Sequence, residues 1–124
     1  MHAASQLLTA LVALEHVWFL VLEMFLFTKP IGLKTFRLKE DFARQAAPMM
    51  QNQGLYNGFL AAGLLWALLA REPAQALQLK TFFLGCVVVA GAFGALTVSR
   101  RILYLQAFPA ALALALSWLA ARGG

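Results

Sequence analysis

Residues 6–27, QLLTALVALEHVWFLVLEMFLF, decide the fold. They form an apolar run long enough to cross a hydrocarbon core, for which about 20 helical residues suffice. No basic segment precedes the run, and it is too long for the apolar region of a secretory signal. It also holds Glu15, His16 and Glu23, so it reads as a first membrane span and not as a leader. Pro30 and Gly32 mark its end.

Outward from that span, the same pattern recurs at 49–70, 79–98 and 102–121. The second run is polar in its first half, MMQNQGLYNG, and lipid-compatible in its second, FLAAGLLWALLA. Pro109 lies inside the fourth and is expected to kink it, which a membrane bundle tolerates. The predicted fold is all-α, a membrane four-helix bundle with a long basic loop between helices one and two. Residues 1–124 make one domain. A composition of 62% hydrophobic and 12% charged residues agrees, since a soluble domain this small needs a thicker polar shell.

The net charge of +5 raises nucleic acid as a partner, and the charge positions argue against it. Lys29, Lys34, Arg37, Lys39 and Arg44 fall in the connection 28–48, and Arg100 with Arg101 in the connection between spans three and four. Both connections lie on one side of the membrane, so the positive-inside rule places them in the cytoplasm and both termini outside. A bacterial inner (plasma) membrane, with anionic headgroups near the basic loop, is the expected setting. Phe36, Leu38 and Phe42 within that loop permit a short interfacial helix. Cys86, the single cysteine, sits in an apolar run and reads as a packing residue.

Polar side chains then point to a site. At 1.5 Å per residue, Glu23 lies about 6 Å and His16 about 16 Å from the cytoplasmic end of span one. On the same scale Asn57 lies about 12 Å into span two and Gln106 about 6 Å into span four, with Asn52 and Gln53 shallower. His16 and Glu23, seven residues apart, share a helix face, as do Gln53 and Asn57 at i, i+4; Glu15 is turned about 100° from His16. The other half of the bilayer looks almost purely apolar. Intramembrane ionisable groups are costly enough to suggest function, which makes Glu23 and His16 the candidate acid/base pair. Asn52, Gln53, Asn57, Gln106 and Glu15 are the candidate ligand-binding groups. The plain alternative for the amides is interhelical hydrogen bonding, worth about 0.6 kcal/mol each on average.

Glycines at 54 and 58, and small pairs Gly91/Ala95 and Ala90/Gly94, permit close helix approach within one bundle or in a homodimer. Dinucleotide, P-loop and CxxC patterns are missing from the sequence, and the acidic and histidine residues are too few and separated for a metal centre. Ser5, Ser99 and Ser117 have no obvious base beside them, so a serine nucleophile is not expected.

Glu15-His16 followed by Glu23-Met24, NQGLYNGFLAAGL at 52–64, AGAFGALT at 90–97 and QAFPA at 106–110 together resemble a bacterial membrane family, domain of unknown function 1304. The resemblance spans essentially the whole chain. It implies a four-helix membrane protein and carries no assigned activity. Three functions are therefore weighed. The first is a membrane-embedded binding or acid/base site for a small lipophilic molecule, with no cofactor. A small proton-coupled transporter is the second, opposed by the apolar far half. The third is a non-catalytic assembly protein whose polar groups only hold helices together.

Overall fold

A computed structural model describes residues 1–123. Its elements are all helical: α1 (His2–Met24), α2 (Pro30–Phe36), α3 (Glu40–Leu69), α4 (Pro73–Thr97) and α5 (Arg100–Gly123). Three of them, α1, α4 and α5, are long and apolar enough to cross a membrane. The fourth expected span, α3, is long enough at 30 residues but falls short in hydropathy, because Gln51, Asn52, Gln53 and Asn57 dilute its middle.

The long loop expected over 28–48 is largely helical. Pro30 starts α2 at its first turn, where the missing N–H costs nothing, and Arg37 ends it in the left-handed region at φ 56°. Gly32 is required there: a Cβ would collide with the carbonyl oxygens of Leu26 and Phe27. Phe27 and Phe36 stack at 5.3 Å across that turn. Helix α3 then begins nine residues ahead of Met49. Glu40 and Asp41 in its first turn complement the helix dipole, and Arg44 pairs with Glu40 one turn on at 2.5 Å. That start carries the helix through Pro48, which forfeits one ladder hydrogen bond.

Pro109 has a visible consequence in α5. The turn Leu103–Ala107 immediately before it is wound as a π-helix, and the Phe108 N–H reaches back five residues to Leu103. Widening that turn accommodates a proline ring that would otherwise meet the preceding turn's carbonyl.

The chain forms two compact units. One comprises Met1–Ala13 with the chain from Ala62 onward. Its core is built from Val12 of α1, Leu64 and Ala67 of α3, Leu84 and Val87 of α4, and Ala107, Ala110 and Ala113 of α5. Gly91 of α4 meets α5 so closely that a Cβ would lie 2.7 Å from the Ala107 backbone nitrogen. The other unit, Leu14–Ala61, buries Leu22, Phe27, Ala43 and Ala61. Here a Cβ on Gly54 would lie 2.6 Å from the Met24 Cγ. The small residues at 54, 58, 91 and 94 thus serve packing within the chain.

In both units the usual pattern of burial is inverted. Beside a few Leu, Val and Phe, the buried positions hold many Ala, Gly and polar residues, whereas Leu7, Leu14, Trp66, Phe82, Phe93, Leu96 and Phe108 are exposed. Water penalises such a surface; a hydrocarbon solvent favours it, and small residues let the backbones approach.

Candidate functional site

Along α3 the buried positions Gly54, Asn57, Ala61 and Leu64 recur at spacings of three and four, the seam of a helix packed lengthwise. Along α1 the corresponding seam is Ser5, Thr9, Val12, His16 and Glu23. The seam of α1 is polar at four of these five places. A helix that turns its polar groups inward and its leucines outward is built around those groups.

In the Leu14–Ala61 unit, Glu23 is 8% exposed and Asn57 8% exposed, and the Asn57 amide donates a hydrogen bond to the Glu23 carboxylate. Gly54, one turn before Asn57, keeps the backbones close enough for it: its missing Cβ would lie 3.1 Å from the Glu23 Cβ. At Gly58, the residue after Asn57, the space a Cβ would need is taken by the Leu20 side chain. His16 is fully buried, its ring edge-on to Phe19 at 5.2 Å. Glu15 lies on the flank of the seam, half-buried. Its Oε1 is shut away without a hydrogen-bond partner. An orphaned buried acceptor costs about 1–3 kcal/mol, so this oxygen is the least satisfied polar atom among the described residues.

The structure places the remaining sequence candidates elsewhere. Asn52 and Gln53 are exposed on α3. Gln53 shares a half-face with Asn57 as predicted, but the seam runs through Gly54 and leaves Gln53 outside it. Gln106 is half-buried in the π-helical turn of α5 and belongs to the other unit. No group of three or more His, Cys, Asp or Glu side chains converges to hold a metal among the described residues.

The unit containing both chain ends holds a second polar cluster, which the sequence reading passed over. Lys80 of α4 is 5% exposed and donates to the Gln6 side-chain oxygen and, at 3.3 Å, to Ser5 Oγ. Ser5 and Ser117 hydroxyls lie 2.7 Å apart, and Ser117 in turn donates to the Ala113 carbonyl at 2.7 Å. That last bond uses the Ser117 proton, so Ser5 donates to Ser117 and accepts from Lys80. The chain runs in one direction from ammonium to backbone carbonyl. Thr9 is tied back to the Ser5 carbonyl at 2.7 Å. The end of the spans that reads as apolar in the sequence therefore holds a buried polar cluster. Periodicity carried the missed signal: Ser5 and Thr9 are i, i+4, and Lys80 with Leu84, Val87 and Gly91 forms one buried stripe.

Residues 10–118 match the family described as Protein of unknown function (DUF1304). The chain is 32% identical over 110 residues to the uncharacterized protein YpaA of Lactococcus lactis subsp. lactis (strain IL1403), covering 87% of this chain and 91% of that one. No solved structure matches. A match over most of its length places this chain in the DUF1304 family.

Proposed function

We propose that this protein is an integral membrane protein crossing the bilayer through α1, α3, α4 and α5, with an acid/base binding site at Glu23 for a small lipophilic ligand. One observation carries the reading: a carboxylate on a buried helix seam, held by the Asn57 amide, in the unit whose Glu15 Oε1 is buried without a partner. Two acidic side chains about two turns apart on α1, one satisfied and one not, suit a ligand that brings a hydrogen-bond donor such as an amine or a hydroxyl. In this reading Glu23 exchanges or accepts the proton, Asn57 and His16 position, and Glu15 receives the ligand's donor. The basic residues at 29–44 and 100–101 keep that end in the cytoplasm of a bacterial plasma membrane.

Native mass spectrometry of the detergent-extracted protein tests this. A specific lipophilic adduct on the wild type, lost in Glu23→Gln and weakened in Glu15→Gln, is the expected result. Spectra free of adduct in every case, with Glu23→Gln differing only in stability, would reduce the pair to interhelical hydrogen bonding. Proton-coupled transport is a second reading, favoured by the Lys80–Ser5–Ser117 cluster, which supplies polar groups in the half that otherwise opposes it. Proteoliposomes whose proton flux is abolished by Glu23→Gln support transport over binding alone.

A further inference from the structure

Helix α3 carries a second stripe, on the side away from Glu23. At 100° per residue, Asn52 lies about 140° round the helix from Asn57. Phe42, Gln45, Met49, Asn52, Tyr56 and Phe59 follow one another at alternating steps of three and four, the spacing of a helix–helix seam. All six are exposed, Met49 at 75%. The stripe runs about 26 Å along α3, all of it within the Leu14–Ala61 unit. Gly54, which lets α3 close on α1, sits on the opposite face and takes no part in it.

The composition of this stripe suits neither water nor hydrocarbon. Gln45, Asn52 and Tyr56 bring hydrogen-bonding groups, and among the described residues no hydrogen bond within the chain uses those side chains. Phe42, Met49 and Phe59 are interleaved with them and apolar. Hydrocarbon leaves the amides unpaired, whereas water leaves the rings and the thioether wet. The exposed side of α4 differs: Phe82, Val89, Phe93 and Leu96 are apolar throughout, as lipid contact asks. A surface of the same mixed character, in register, satisfies both halves of the α3 stripe.

A second copy of the chain offers such a surface. Copies of one membrane protein insert with the same end inward, so their α3 helices run parallel. A two-fold axis along the bilayer normal then sets each stripe residue against its own equivalent. That symmetry would make a charged stripe repel itself. This one has no charged member, and of the positions flanking it as a seam only Asp41 is ionised. An amide carries both donor and acceptor and so complements itself. Amides at seam positions also fix the register of a helix pair. Tyr56 and Phe59 already pack ring to ring at 6.0 Å, a preformed aromatic surface for the same rings of the other copy.

We propose that two copies of this chain associate through α3 as a parallel pair, Asn52 of one copy against Asn52 of the other. The pairing lies on the far side of α3 from Glu23 and is independent of any ligand there; it takes from the reading above only that α3 lies in the membrane.

The test uses the full chain with Cys86→Ala in vesicles of phosphatidylcholine and phosphatidylglycerol. Met49→Cys and Tyr56→Cys, both on the stripe, should give disulfide-linked dimers on mild oxidation. Gln51→Cys, exposed on the same helix but off the stripe, should not. Energy transfer between chains labelled at the N-terminus, followed as lipid is added, reads the dimerisation constant. Asn52→Leu is expected to lower that constant roughly three- to fifteenfold, the range that interhelical hydrogen bonds imply. Asn52→Gln keeps the amide and should stay closer to the parent. Residue 52 is exposed, so both variants leave packing within the chain undisturbed. Equal crosslinking at 49, 51 and 56, or an Asn52→Leu protein that associates as tightly as the parent, would overturn the proposal. A chain that stays monomeric at the highest protein-to-lipid ratio also overturns it, and leaves the stripe to headgroup water or a different protein.

Discussion

Glu23 and Asn57 illustrate how much a single pair of residues can be asked to do. Their hydrogen bond links α1 to α3 and removes two polar groups from hydrocarbon at once. Changing Asn57 to Leu leaves the carboxyl buried without its donor, and a loss of about 1–3 kcal/mol is expected. Glu23→Gln keeps an acceptor facing Asn57, so its cost should stay near the roughly 0.6 kcal/mol typical of interhelical bonds. Thermal unfolding in detergent measures both. A Glu23→Gln protein that is nearly as stable as wild type yet loses its ligand separates chemistry from packing. Gly54 supports the pair from below. Gly54→Val should destabilise by about 1–3 kcal/mol, because Met24 already occupies the space a side chain would need.

At the scale of elements, two prolines and one glycine shape the helices. Pro109 is answered by a π-helical turn at Leu103–Ala107, the turn that carries Gln106. Replacing it with Ala restores a donor and removes the ring clash. The 103–108 backbone is then expected to return to i→i−4 bonding, with slower amide hydrogen exchange there and a reoriented Gln106. Gly32 lets α2 fold back onto the turn that ends α1. Gly32→Ala forces a Cβ against backbone carbonyls and should unwind α2, seen as new protease sensitivity between residues 29 and 39. The mixed face of α2, with Ile31 at 45% exposure next to exposed Lys34 and Thr35, suits a helix lying at a headgroup boundary.

For the whole molecule, the inverted burial pattern is the governing fact. In each unit, exposed Leu, Phe or Trp surround a core rich in small and polar residues, an arrangement that a lipid solvent favours. The proposed orientation rests on the placement of charge. With Cys86 replaced by Ala, single cysteines at 39 and 99 should react with an impermeant maleimide only from the cytoplasmic side, and one at 72 only from outside. Reaction of 39 and 72 from the same side would show that α3 does not cross, which its modest hydropathy makes the informative case.

Sequence alone determined the helical content and the presence of helices long and apolar enough to cross a membrane, since both follow from composition and the length of apolar runs. It also brought Glu23 and Asn57 forward, because ionisable and amide groups stand out against an apolar background at any depth. What it did not fix was which face of each helix turns inward. Asn52 and Gln53 look equivalent to Asn57 in the sequence, yet a seam through Gly54, Asn57 and Ala61 leaves both outside. Lys80 stands near one end of the apolar run 79–98, a place where a long stem ordinarily snorkels outward. Only the packing of α1, α4 and α5 turns it toward Ser5 and Gln6. Helical register constrains which residues share a face; the partner helices decide which face is buried, and with it whether a charge meets lipid, water or another side chain.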